Sequence, residues 1–227
     1  MTTELGRRER KKQRTRQTIA SAAFDLFAER GFDNVTVAEI ADLADVSQAT
    51  VFNHFATKED LIYSGLEAFH AAQLDAIRHR EPEQSIAAAF RAFMLQPTGL
   101  LGSGDPAGRD KLTTIARVIV DSPALLARER RIYDDHTRSL ARLIADETSR
   151  VPVPRNTRRT GFAGQETSSD DDVESWVVAN ALVGVHRAMV DHVRAQLLAG
   201  TAGPDLAQQV RSRGQRAFDI LDRGLAD

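Results

Sequence analysis

Apolar positions recur at helical spacing along most of the chain. Ile19, Ala22, Ala23, Leu26 and Phe27 mark one face of a first helix, predicted to begin near Lys11 and to stop at Arg30-Gly31. There a basic last turn is followed by glycine, the usual stop signal. Val37, Ile40, Ala41 and Ala44 then follow at i, i+3, i+4 and i+7, a stripe about two turns long. Thr36-x-x-Glu39 opens that second helix as a capping box, the hydroxyl capping a backbone N–H and the carboxylate reaching back to the cap. Asp45 sits where the chain must turn sharply, and aspartate tolerates a left-handed backbone. Ser47 caps a third helix in which Val46, Val51 and Phe55 face back while Gln48, Ala49, Phe52 and Asn53 point outward.

Two short helices at a tight turn, with polar side chains on the outer face of the second, form a helix-turn-helix that reads DNA. Isolated matches to this pattern also occur in ordinary bundles; the short connections to the helices on either side favour the reader. Thr57-Lys58-Glu59-Asp60 opens a fourth helix, capped and acidic in its first turn, running to about Arg80 before Pro82. The pattern predicts further helices over Glu83–Gln96, Arg109–Asp121, Pro123–Ser149, Val173–Leu198 and Pro204–Leu225, with a Gly/Pro loop over Pro97–Gly108. No convincing strand alternation intervenes. The fold class is all-α: an N-terminal three-helix DNA-binding domain with a helix-turn-helix, and a C-terminal helical domain. Residues 1–56 hold a basic arm and the reader; residues 57–227 hold the rest, with 150–172 read as a mobile connection because its Pro, Gly, Ser and charge content packs poorly.

Charge sharpens this picture locally rather than globally. The 227 residues carry a formal net charge of -2, so no overall basicity advertises nucleic acid. Arg7, Arg8, Arg10, Lys11, Lys12, Arg14 and Arg16, however, are opposed there only by Glu4 and Glu9. Such runs are often solvated tails; directly before a DNA reader this one is expected to lie along the backbone or in the minor groove. Cysteine is absent, which excludes disulfides and thiolate metal sites. The basic start is not followed by a signal-peptide core and no apolar stretch is long enough to span a membrane, so a cytoplasmic location is expected.

Gly31-Phe32, Thr36 to Ala44, Val46-Ser47, Thr50-Val51-Phe52, His54-Phe55 and Thr57-Lys58-Glu59-Asp60-Leu61 together resemble the N-terminal domain of the tetracycline-repressor (TetR) family of bacterial transcriptional regulators. The resemblance covers about residues 12 to 65. It implies double-stranded DNA as a partner. Gln48, Ala49, Phe52 and Asn53 fall on base-facing or backbone-facing positions, and Thr36, Val37, His54 and Lys58 fall where the family touches phosphate. Ser47, Thr50 and Arg14 complete the expected DNA-binding set. Gln48 and Asn53 can bond adenine, whereas Ala49 offers a methyl surface. Phe52 replaces a frequent tyrosine and Asp45 the usual turn glycine.

The family further implies a homodimer built on the last two large helices, and Val173–Leu198, apolar nearly all round in its first half, suits burial on more than one side. It also implies a small-molecule effector in a helical pocket. Candidate lining residues are Phe69, Phe90, Phe93, Met94, Ile115, Ile119, Tyr133, Trp176 and Asn180, in stripes that more often serve ordinary packing. Their apolar character points to an apolar or mixed effector, acyl or polyketide-like. Asn180 and His186, polar on a mostly apolar helix, need partners across a helix or a dimer interface. The functional expectation is a dimeric repressor released from an inverted-repeat operator by its effector; an activator or a pleiotropic DNA-binding regulator is the alternative. A helical-bundle metalloenzyme is a rival, since Glu67-x-x-His70 and Asp134-Asp135-His136 carry metal-ligand types. A second Glu-x-x-His is missing, so the chain is not read as an enzyme and no metal or cofactor is assigned.

Overall fold

Helix after helix forms wherever the apolar spacing demanded one. The computed structural model describes residues 2–96, 106–150, 173–203 and 205–224. In chain order its helices are α1 (Thr2–Arg30), α2 (Val37–Leu43), α3 (Gln48–His54), α4 (Asp60–Arg78), α5 (Ile86–Met94), α6 (Pro106–Val120), α7 (Pro123–Arg150), α8 (Val173–Leu198) and α9 (Leu206–Arg223), with no strand among the described residues. The expected connection over 150–172 and most of the expected Pro97–Gly108 loop lie outside the described residues.

Several helix starts differ from expectation: the fourth helix begins at Asp60 rather than Thr57, α6 begins at Pro106 rather than Arg109, so that residues 106–108 of the expected loop are helical, and two further starts have identifiable reasons. α1 begins at Thr2, not near Lys11. The basic run carries no apolar stripe, yet Arg, Lys, Glu and Gln are good helix formers, and their propensity extends the helix toward the N-terminus. α5 begins at Ile86 rather than Glu83 because the Ser85 hydroxyl accepts the N–H of Ala88 at 3.1 Å, and a cap of that kind fixes the start.

The chain divides into two compact units: Met1–Phe69 with Thr98–Arg130 and Arg194–Asp205, and His70–Pro97 with Arg131–Val193 and Leu206–Asp227. α4, α7 and α8 each contribute residues to both. In the first unit Ile19, Ala23, Phe27, Phe32, Val35, Ile40, Val51 and Phe55 are buried and make one core beneath α2 and α3. α4 joins it through polar contacts at its start. Tyr63 donates its hydroxyl to the Leu125 carbonyl at 3.1 Å, and Arg128 binds Asp60 at 2.9 Å and Glu67 at 2.6 Å. Ser122 donates to Asp33 at 2.9 Å.

The second unit buries Leu74, Ile77, Phe90, Leu140, Ala179, Leu182 and Phe218. α5 and α9 are tied by Arg91, which binds Asp219 at 2.8 Å and Asp222 at 2.6 Å. Arg80 pairs with Glu147 in the same unit. α8 buries Ser175, Ala179, Leu182 and Val183 on one side and leaves Val173, Val177 and Val178 72%, 62% and 40% exposed in the single chain.

Candidate nucleic-acid interface

The reader is built from caps. Thr36, extended at φ -96°, accepts the Glu39 N–H at 3.3 Å, and Glu39 accepts the Thr36 N–H at 2.8 Å. Glu39 also takes a 2.8 Å bond from Arg30, at the end of α1. The Thr36 backbone bond first, then the Thr36 hydroxyl and Arg30, lower the Glu39 pKa to about 2. The carboxylate therefore stays ionised and fixes α2 against α1 across the physiological range.

Asp45 adopts φ 53°, the left-handed turn expected of it, while Val46 N–H returns to the Ala41 carbonyl at 3.0 Å. Ser47 then caps α3, accepting the Thr50 N–H at 3.1 Å, with Ser47 and Thr50 hydroxyls 2.9 Å apart. Val51 and Phe55 are buried beneath α3, and Gln48, Ala49, Phe52 and Asn53 are exposed on its outer side. Phe52 is 50% exposed, an apolar ring held in water. Thr36 is also exposed and Val37 half-buried, at the start of α2. These side chains lie on neighbouring elements of one unit.

Lys58 has an internal role that sequence spacing did not reveal. Its ammonium donates to the Phe32 and Val35 carbonyls, each at 2.8 Å, and lies 4.1 Å from the centre of the Phe32 ring. Burial lowers its pKa. Two of its three protons are thus committed to carbonyls of the α1–α2 connection, where the Val35 N–H also reaches the Phe32 carbonyl at 3.4 Å. Arg16, which the charge pattern groups with the arm, is likewise engaged: it donates to the His54 carbonyl, and its guanidinium sits 4.2 Å from the Phe55 ring centre. Arg14 remains exposed, as do Arg7, Arg8, Arg10, Lys11 and Lys12.

The nominated pocket residues divide between the units. Phe69, Ile115 and Ile119 belong to the first; Phe90, Phe93, Met94, Tyr133, Trp176 and Asn180 belong to the second. Within the second, Trp176 and Asn180 line a cleft of about 290 Å³ with Asp134, Thr137, Arg138 and Arg187. Asn180 is exposed and donates to the Trp176 carbonyl at 2.8 Å, so a bond within α8 meets the expected need for a cross-helix partner.

His186 is buried in a cluster. His70 stacks on His136 with ring centres 3.9 Å apart and planes at 11°, and His186 meets the His70 ring edge-on at 5.2 Å. Tyr133 lies 5.4 Å from both His70 and His186. Burial, above all, lowers the three imidazoles to about 2 for His70, 4 for His136 and 3 for His186. Glu67 is spent on Arg128 and Asp135 on Arg138, and among the described residues no group of three or more His, Cys, Asp or Glu could hold a metal ion. Likewise, no described helix is long and apolar enough to cross a membrane.

Residues 19–63, which hold this interface, match the model of the bacterial regulatory proteins of the tetR family. The chain is 34% identical over 146 residues to the transcriptional regulator TcmR of Streptomyces glaucescens, covering 62% of this chain and 63% of that protein. It is 33% identical over 86 residues to TtgR of Pseudomonas putida, covering 37% and 41%. The chain thus spans less than two thirds of either relative's length. Two solved structures share the fold. NalD of Pseudomonas aeruginosa, described as the secondary repressor of the MexAB-OprM multidrug efflux pump, aligns at 17% identity over 90% of this chain and 96% of that one, with a TM-score of 0.51. A regulator from Syntrophomonas wolfei aligns at 19% identity over 94% and 97%, with a TM-score of 0.54. The capped α2–turn–α3 unit thus lies in a domain that matches the tetR-family model, and the chain is similar to transcriptional regulators of that family.

Proposed function

We propose that this protein is a homodimeric DNA-binding repressor that leaves an inverted-repeat operator when a small, largely apolar effector binds its helical C-terminal part. The observation that carries the DNA reading is the outer face of α3. Gln48, Ala49, Phe52 and Asn53 stand exposed on a helix whose inner side is anchored by buried Val51 and Phe55. Gln48 and Asn53 supply bidentate amides suited to adenine, and Ala49 and Phe52 supply apolar surface suited to a thymine methyl. Thr36, Val37, Ser47, Thr50, His54 and Lys58 flank this face as phosphate contacts, Lys58 through its remaining proton and backbone, and Arg14 with the basic α1 turns adds charge.

One such head reads too little sequence to be selective, and a twofold dimer presents two. The exposed valines of α8 and half-exposed Ile220 of α9 supply the apolar surface a dimer would bury. For release, α4 is the natural carrier, since it holds Asp60 and Tyr63 among the contacts of the first unit and His70 and Gln73 among those of the second. Repression is the sign that the family resemblance implies.

Selection of bound fragments from genomic DNA, followed by binding assays with Gln48→Ala and Asn53→Ala, tests this reading. The expected result is an inverted-repeat sequence and a loss of about 1–3 kcal/mol per base-reading side chain. Equal binding to all fragments would refute it.

A further inference from the structure

We propose that Arg128 and Glu129, consecutive residues of α7, are positioning residues that tie the reading head to α8 and so set the separation of the two heads in the dimer; the inference rests on the dimeric DNA-binding reading above. Successive side chains on a helix point about 100° apart, so these two reach different neighbours. Arg128 turns to α4, where Nη2 donates to Asp60 at 2.9 Å and to Glu67 at 2.6 Å. Glu129 turns to α8, where both of its oxygens accept from the Arg194 guanidinium, one of them at 3.1 Å. Asp60, Glu67, Arg128, Glu129 and Arg194 all belong to the first unit.

On the reader side the tie continues through Asp60. Its second oxygen accepts the Thr57 N–H at 2.9 Å, and the Thr57 hydroxyl accepts the Asp60 N–H at 3.3 Å. Thr57 stands two residues after Phe55, the buried C-cap of α3. On the other side, Arg194 lies in the last turns of the helix that carries Val173 and Val177. Each step from α3 to α8 is therefore a short stretch of backbone or a charge-assisted bond.

Burial gives these ties their geometric force. The Glu129 and Arg194 side chains are 13% and 14% exposed, and those of Asp60 and Arg128 are 11% and 23% exposed. An ion pair at such depth adds little net stability over well-packed apolar side chains. What it does impose is direction, because the planar guanidinium accepts a carboxylate in a narrow range of arrangements, above all when two parallel bonds form, as between Arg194 and Glu129. Two heads must meet half-sites about one helical turn apart, so a narrow range at these pairs is a narrow range of head separation.

Fluorescence anisotropy on the full-length protein tests this with three DNAs: the selected inverted repeat, the same repeat with one base pair added between its half-sites, and a single half-site. For the parent, the added base pair turns one half-site by about 35° and should cost about tenfold or more. Two variants are compared, each checked for folding by circular dichroism: Glu129→Gln, which keeps the shape without the charge, and Glu129→Leu with Arg194→Met, which fills the space with apolar groups. Each should bind the single half-site as the parent does, bind the selected repeat about threefold to tenfold more weakly, and lose less from the added base pair. The exchanged pair, Glu129→Arg with Arg194→Glu, should restore the parent's spacing penalty. A full penalty in both Glu129 variants would overturn the proposal. So would equal losses on half-site and repeat, which mark simple support of the reader. A parent that gains nothing from a second half-site would overturn the dimeric reading and this inference with it.

Discussion

Arg16, on α1, holds the end of the reading helix: it donates to the carbonyl of His54, the last residue of α3, and lies over the ring of the following Phe55. A helix C-terminus carries unpaired carbonyls and partial negative charge, so a guanidinium there satisfies both. Arg16→Gln should lower operator affinity about tenfold through loss of α3 alignment, with the log-affinity against log-salt slope nearly unchanged. Fluorescence anisotropy titrations at several salt concentrations measure both quantities. A slope reduced by about 1 would instead mark Arg16 as a phosphate contact.

The exposed bases of the arm predict the opposite signature. Removing residues 1–12 takes away Arg7, Arg8, Arg10, Lys11 and Lys12 while leaving the buried core from Ile19 onward intact. Binding should weaken and its salt dependence flatten, by roughly 0.9 in slope for each phosphate that the arm no longer neutralises. An unchanged slope would remove the arm from the interface.

Lys58 should reveal itself in stability as well as in binding. Lys58→Met takes the ammonium donor from the Val35 carbonyl, leaves the Phe32 carbonyl with only the 3.4 Å bond from the Val35 N–H, and removes the cation from the Phe32 ring. The cost should be about 1–3 kcal/mol in urea unfolding. A variant as stable as the parent but weak on DNA would return Lys58 to a purely phosphate-binding role.

Acid should destabilise the second unit. His70, His136 and His186 have folded pKa values of about 2, 4 and 3, below the 6.5 of an unfolded histidine. The unfolded chain therefore binds more protons below pH 6.5. Stability is full above that pH and falls as pH drops from 6.5 toward 4, with a limiting slope near 1.4 kcal/mol per pH unit for each histidine that must charge on unfolding. Denaturant unfolding at pH 7 and pH 5 gives the difference. His186→Phe, if it folds, should shrink it.

Val177→Asp tests the exposed face of α8. Val177 is 62% exposed in the single chain, so a carboxylate there costs little in a monomer and much in a buried dimer interface. Light scattering at micromolar concentration should show a dimer for the parent and a monomer for the variant. A parent that is monomeric at that concentration would overturn the dimer.

Signals confined to one helical turn were legible in the sequence. The Thr36–Glu39 box, the Ser47 cap and the left-handed Asp45 each depend on side chains within three or four residues, and each took the conformation its chemistry favours. α3's inner and outer faces followed from spacing alone. Long-range partners were not legible. Lys58 finds its carbonyls 26 and 23 residues earlier, Arg16 reaches His54 across 38, and Gln73 meets His136 across 63. Charge type predicted that such groups would be used, but only packing decides by what. The start of α1 was missed because hydrophobic periodicity is blind to a helix made of bases, where propensity alone speaks.

One helix carries both the exposed bases and Arg16. At 1.5 Å per residue, the nine steps from Arg7 to Arg16 span about 14 Å of unbroken α1. On the proposed reading, phosphate capture at the far end and alignment of α3 at the near end are therefore motions of one rod. A protein loosely held along any stretch of DNA would already carry its reading helix at the working tilt, so the search for an operator and its recognition differ in sequence match rather than in pose.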